Sequence, residues 1–353
     1  MNSSNLIRLI ETVTVGAIGG YVFTLLQFPL PWVLGSLTFI MVWQGVTKRV
    51  IYWPNLLKNA GFMLLGIYFG LYFTTETLTT IGPYIFPYVL STVALILSSV
   101  VVAVSVTRWI QVDKITSVFG SIPGGLSEMV LASEALNAKT SYVVIFQTVR
   151  LMTVLFTVPA FIMYFFTVQP SSSSVVMNST VESHNLYTYF FYIIPVIIGV
   201  LVRDKLPAGI VVVPLAVTAF LNISVMELVS IPSILLVCAQ ISVGVGLGKN
   251  ISFDDLKLGG RYSFVYFGVS LLLIVISFGL GGVLAYFTSL NLATAILSIA
   301  PGGLIEMVLT ASVVGGDPAV VSALQLIRIL IIILFVPTAL KWYFRKEVIR
   351  RVA

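Results

Sequence analysis

Two glutamates, two glutamines and two arginines stand inside long apolar runs, and they recur in one register. Glu128, Gln147 and Arg150 return 178 positions later as Glu306, Gln325 and Arg328. A helix-breaking triplet precedes each glutamate, Pro123-Gly124-Gly125 in one copy and Pro301-Gly302-Gly303 in the other, with Ser127 beside the first glutamate. Ionisable groups inside apolar sequence are costly and mark solute paths or proton relays. As chemistry, Glu128 and Glu306 are protonatable or cation-coordinating carboxylates. Arg150 and Arg328 are able to clamp a substrate carboxylate bidentately. Gln147 and Gln325, three positions earlier, share a helix face with them. A structural reading stands beside this one. Each glutamate caps its own helix, and a Glu–Arg pair ties one segment to the next.

The elements that position these groups follow from the same register. Apolar segments run at about 6–27, 30–46, 56–74, 82–107, 115–136 and 140–168, then again at about 187–202, 206–222, 232–248, 262–288, 291–313 and 318–344. None alternates with period two, so helices are expected throughout. Leu-Pro opens the second segment of each half, at Leu30-Pro31 and Leu206-Pro207, where proline suits a first helical turn. Glycine tolerates a sharp turn and proline cannot continue a helix, so each Pro-Gly-Gly predicts a broken helix. The residue run after each break reads as a half-helix whose N-terminus, near mid-membrane, favours an anion. Gly66 and Gly70 match Gly244 and Gly248, a small-xxx-small spacing for close helix packing and a face able to support a homodimer.

Composition sets the bounds. The chain has 353 residues, 58% hydrophobic and 9% charged, with mean hydropathy +1.07. Soluble domains carry about 25% charged residues, so a water-soluble fold is excluded. Cys238 is a lone thiol in an apolar segment, expected to be buried and structural, and no cofactor is expected. The one histidine, His184, lies in a polar stretch, which argues against an imidazole metal centre and against enzymatic chemistry of that kind. The net charge of +6 fits basic cytoplasmic loops on anionic lipid; no basic patch of DNA-binding size occurs, so no direct nucleic-acid partner is expected. The N-terminal stretch lacks a small-residue cleavage site and reads as a retained first helix.

Loop charges set the expected topology. Lys48, Arg49 and Lys58 mark one cytoplasmic loop, as do Arg108 with Lys114, Arg203 with Lys205, and Lys249 with Lys257 and Arg261. Loops holding Glu76, Glu227 and the Ser-rich linker read as external, and Trp43, Trp53, Trp109 and Trp342 lie beside the basic stretches. The expected architecture is all-α and polytopic: two inverted repeats, each of about five transmembrane helices plus one re-entrant or broken helix. Were the Pro-Gly-Gly segments to span fully, the repeats would instead be parallel. The divisions are a first membrane repeat (1–168), an external linker (169–186), a second repeat (187–345) and a basic cytoplasmic tail (346–353). A multi-pass plasma-membrane protein with both termini cytoplasmic is expected.

The two copies of PGG-L-x-EMVL, the Leu-Pro openings and the Gln-x-x-Arg pairs resemble the membrane AbrB duplication family. Its members are often labelled ammonia monooxygenases or regulators of gene expression. The chain is also distantly similar to the cation:proton antiporter and anion transporter superfamily, although it lacks the paired helix aspartates of the best-known antiporters. The resemblance implies a transporter fold with inverted repeats and interrupted helices. The function expected is secondary transport of a small anionic or polar solute, with a proton or sodium ion as coupling partner. The alternative is a membrane regulator or sensor acting indirectly on gene expression.

Overall fold

Proline, glycine and short polar caps punctuate the apolar runs into fourteen α-helices among the described residues. A computed structural model describes residues 3–134, 136, 138–166, 186–202, 205–206, 208–224, 228–251 and 253–352. In chain order the helices are α1 (Ser3–Leu25), α2 (Pro31–Thr47), α3 (Asn55–Gly70), α4 (Thr75–Val106), α5 (Lys114–Ser121), α6 (Leu126–Glu134) and α7 (Thr140–Phe166). After a 3-10 turn at Leu186–Tyr192 come α8 (Ile193–Val202), α9 (Gly209–Ser224), α10 (Ser233–Lys249), α11 (Phe253–Phe287), α12 (Leu292–Ile299), α13 (Leu304–Val314) and α14 (Pro318–Val352). No strand occurs among the described residues, so the chain is all-α. Five stretches, Asn5–Leu25, Thr75–Val106, Thr140–Phe166, Arg261–Phe287 and Pro318–Phe344, are long and apolar enough to cross a membrane. The linker, His184, Arg203, Pro207 and Glu227 lie outside the described residues, as do the side chains of Ser127, Glu128 and the basic tail.

Two compact units divide the chain, and each draws on both sequence repeats. The first comprises Met1–Gly82, Pro159–Phe253 and Val308–Val320; the second comprises Pro83–Val158, Asp254–Met307 and Val321–Ala353.

The first unit is held by close backbone approaches that pair one repeat with the other. A Cβ on Gly66 would strike the Val211 carbonyl, and a Cβ on Gly244 would strike the carbonyl of Val33, 178 positions before Val211. The matched glycines Gly70 and Gly248 repeat the exchange, against Leu215 in α9 and Leu37 in α2. These glycines are therefore used in packing inside the unit. Leu30 and Ala208, also in register, both take left-handed backbone (φ 47° and 51°) immediately before α2 and α9. Asn222 staples α9 to the end of α3 through the carbonyls of Leu71 (3.2 Å) and Phe73 (3.0 Å). Cys238 corrects the expectation of a buried thiol: it is exposed. In a membrane protein an apolar segment need not face protein, because lipid is equally apolar.

The second unit contains every described residue of the two Pro-Gly-Gly segments up to Met307. Its core joins α4, α5, α6 and the start of α7 to the far half of α14, with Ala103, Phe119, Met129, Val143, Val336 and Phe344 all buried. A second cluster packs Tyr266 and Leu273 of α11 on Phe146 and Val149 of α7; the Phe146 and Tyr266 rings stack with centroids 3.5 Å apart. Glu76, expected in an external loop, instead sits in the first turn of α4, where the helix dipole favours an acid.

Candidate functional site

Each short helix before a break begins with a side-chain cap at a matched position. Asp113 accepts from the Thr116 N–H (3.0 Å) and Asn291 from the Ala293 N–H (3.1 Å), so both α5 and α12 start where a short polar residue satisfies an orphan donor. Both helices stop eight residues later, at Ile122 and Ala300. The Gly124 N–H bonds the Ile122 carbonyl and the Gly302 N–H bonds the Ala300 carbonyl, each at 2.8 Å. A turn of this size centres on Pro123 or Pro301, whose fixed φ suits it. The ladder resumes with Met129 N–H to Gly125 (3.0 Å) and Met307 N–H to Gly303 (3.2 Å). The methionine side chain five residues on folds over each turn: a Cβ on Gly124 would lie 2.7 Å from Met129 Cε and one on Gly302 closer still to Met307 Cε, contacts that the flexible methionine end could relieve by shifting.

The chain after the first break returns to where it started. The Lys139 N–H, just before α7, donates to Thr116 Oγ1 near the start of α5 (2.9 Å). From there α7 climbs beside α5: Gln147 reaches the carbonyls of Phe119 and Ile122, and Arg150 those of Ile122 and Gly124. Since α5 and α7 run in the same direction, α6 runs back between them in sequence, and α5–break–α6 is a hairpin. In the second copy Gln325 reaches Leu297 (2.7 Å) and Ala300 (3.4 Å), and Arg328 reaches Ile299 (3.2 Å), Ala300 and Gly302 (2.8 Å).

These bonds place the arginines. Arg150 and Arg328 are 7% and 3% exposed, and each uses its guanidinium fork to bind the carbonyls that its own break frees from a helical ladder. Such carbonyls, buried without donors, would be destabilising. Among the described residues the acceptors of both guanidinium groups at the breaks include the backbone carbonyls of Gly124 and Gly302, while the Glu128 side chain expected to pair there lies outside those residues. Glu306, in the first turn of α13, is 5% exposed and folds back so that its carboxylate covers Gly303. A carboxylate there faces the positive end of its own helix. Gln147, Gln325, Arg150, Arg328, Pro123, Gly124, Gly125, Pro301, Gly302, Gly303 and Glu306 therefore lie at the two breaks.

Further polar groups at these breaks belong to the same register but escaped the reading of the sequence. Tyr88 and Tyr266, 178 apart, are both fully buried. Tyr88 donates to the Ser298 carbonyl at the end of α12 (3.0 Å). Tyr266 donates to Ser117 Oγ (2.7 Å), which in turn donates to the Ala103 carbonyl in α4 (2.8 Å). Of the buried side-chain atoms without a hydrogen-bond partner among the described residues, three belong to the clamps: Gln147 Oε1, Arg150 Nε and Arg328 Nε. No group of three His, Cys, Asp or Glu residues able to hold a metal occurs among the described residues.

The chain is similar to known proteins along nearly its whole length. A family profile described as "Transition state regulatory protein AbrB" matches residues 32–344. The chain is 24% identical over 370 residues to the Bacillus subtilis (strain 168) protein YhjN, covering 94% of this chain and 92% of that one. It is 26% identical over 329 residues to an Escherichia coli (strain K12) protein whose name describes it as a regulator, AbrB, covering 89% and 90%. No solved structure matches the chain. A profile match across both breaks and nearly all of the helices leaves one assignment: this all-α chain, built of membrane-length helices, belongs to the AbrB family.

Proposed function

We propose that the protein is a secondary-transporter-like membrane protein whose two repeats are inverted across the bilayer and whose solute path passes the two helix breaks. The observation that carries this reading is the duplicated clamp, Arg150 on the first break and Arg328 on the second, both buried and bound to the carbonyls of Gly124 and Gly302. Inverted-repeat transporters build midplane sites from helix breaks whose half-helix N-termini face an anionic group. A small anionic or polar solute would accept from the Arg150 Nε, which is buried without a partner among the described residues. Gln147 Oε1 is a matching acceptor for a hydroxyl or N–H on that solute.

Contacts of the long helices support the inversion. The first half of α4 meets the second hairpin through Tyr88 and Ser298, and its last turns meet the first hairpin through Ala103 and Ser117. Along α11 the order reverses: Tyr266 meets Ser117, and Gly281 packs on Ile296. Two repeat-related helices that pass the same hairpins in opposite order run in opposite directions. On this reading each hairpin is re-entrant, each repeat supplies five crossings, and both termini lie in the cytoplasm. Glu306 and its partner Glu128 are the coupling carboxylates for a proton or sodium ion, and the protein is not an enzyme.

A second reading, a membrane sensor acting indirectly on gene expression, is favoured by the name of the Escherichia coli relative and the family description. Flux separates the two. Purified protein in proteoliposomes should move a small carboxylate, with acetate and succinate as first probes, under an imposed proton or sodium gradient. Arg150→Gln should abolish that movement. Binding of the same solute, seen as a thermal shift, with no flux under any gradient would favour the sensor.

A further inference from the structure

Away from the breaks, the first unit carries a second concentration of unlike chemistry, where the start of α1 meets the end of α2. A cavity of about 480 Å³ is lined there by Ile7, Arg8, Glu11, Thr12, Lys48, Arg49, Val50 and Ile51. Three cations face it against one carboxylate, and that carboxylate is already engaged: Glu11 accepts from Trp43 Nε1 (2.8 Å) and from Arg49 (3.2 Å). The Arg8 guanidinium makes no ion pair among the described residues. Lys48 follows the last turn of α2 in left-handed backbone (φ 56°), its N–H closing on the Gln44 carbonyl at 3.0 Å. An L residue rarely takes that conformation, and here it sets a lysine at the negative end of a helix and beside the cavity. The same corner exposes apolar side chains, with Ile7, Ile10, Val46 and Val50 between 58% and 76% exposed and Ile7 and Val50 also lining the cavity, an apolar skirt beside the cations. A tryptophan at the junction is the residue type that marks a membrane–water interface.

We propose that this cavity binds the phosphate headgroup of an anionic phospholipid, with its acyl chains lying along the exposed apolar skirt. The charge excess selects an anion, and the skirt selects one that carries hydrocarbon, which separates a lipid from free phosphate. Basic pockets at the end of membrane helices take anionic headgroups by this combination. Arg8 and Lys48 are the phosphate contacts. Glu11, held by Trp43 and Arg49, keeps the guanidinium of Arg49 oriented across the mouth. The site is independent of the solute path and stands whether or not the protein transports.

The test uses the full-length protein in a neutral detergent, with thermal unfolding followed as phosphatidylglycerol is titrated in. Parallel arms contain phosphatidylcholine or inorganic phosphate. Phosphatidylglycerol should raise the transition temperature in a saturable way, and neither other arm should. Arg8→Gln with Lys48→Gln should weaken the phosphatidylglycerol response roughly thirtyfold, the loss of two basic contacts near a headgroup. Arg8→Lys with Lys48→Arg should restore it, which guards against a variant that simply folds badly. An undiminished response in the double glutamine variant would overturn the proposal. So would a phosphatidylcholine shift of equal size, while a shift with inorganic phosphate as large as that with phosphatidylglycerol would replace the lipid with the free anion.

Discussion

The two helix breaks are copies in sequence but not in how fully their clamps are closed. At the second, Arg328 holds the carbonyls of Ile299, Ala300 and Gly302 and also donates to Gln325 Oε1. At the first, Arg150 holds Ile122 and Gly124, and the equivalent oxygen, Gln147 Oε1, has no partner among the described residues. The same residues at the same spacing thus make a more fully bonded clamp in the second repeat than in the first, although the arginine Nε lacks a partner among the described residues in both. On the proposed function, the less fully bonded first clamp is the one with a side-chain oxygen left for a solute.

The strongest way to break this comparison is to remove each arginine in turn. Arg328→Met should lower stability by about 3–5 kcal/mol, because it strips three carbonyls and a glutamine of their donor inside the core. Arg150→Met should be milder by about 1–2 kcal/mol, with two carbonyls stranded. Thermal unfolding in one detergent ranks them, and equal losses would erase the distinction. Next in size, Gln325→Leu should destabilise more than Gln147→Leu by about 1–2 kcal/mol, since only the former deprives an arginine of an acceptor. Denaturation of the pair checks this, and the reverse order would assign the open clamp to the other repeat. Ligand response sharpens the contrast from the opposite side. Arg150→Lys keeps charge but loses the fork, and should weaken solute binding about tenfold while changing stability less than Arg150→Met. The smallest effects belong to the tyrosines. Tyr88→Phe strands the Ser298 carbonyl and should cost about 1 kcal/mol, whereas Tyr266→Phe leaves Ser117 still bonded to Ala103 and should cost less.

Much of this was legible in the residues. Pro-Gly-Gly cannot continue a helix, so both breaks fell where the triplets stand, and Leu-Pro marked the start of α2. The repeat register also gave the clamp residues, because Gln and Arg are conspicuous in apolar sequence. Tyr88 with Tyr266, Ser99 with Ser277 and the caps Asp113 with Asn291 obey the same 178-residue spacing, yet tyrosine and serine blend into a greasy helix. Only contact geometry reveals that the tyrosines serve the break opposite to their own repeat. What the arginines bind was equally hidden. Side-chain chemistry points to glutamate, but the freed backbone carbonyls of a break are acceptors that composition does not display. Cys238 failed for the reason that hydropathy ranks apolar residues without saying whether protein or lipid receives them.

The crossed glycine seats in the first unit, Gly66 on Val211 and Gly244 on Val33, bear on how such a chain is made. During synthesis α3 emerges long before the surface it will lie against, so the early half must wait in the bilayer, incomplete, until the ribosome delivers the rest. A half-length chain would lack the surface that seats Gly66 or Gly244, so neither half carries its own partner face.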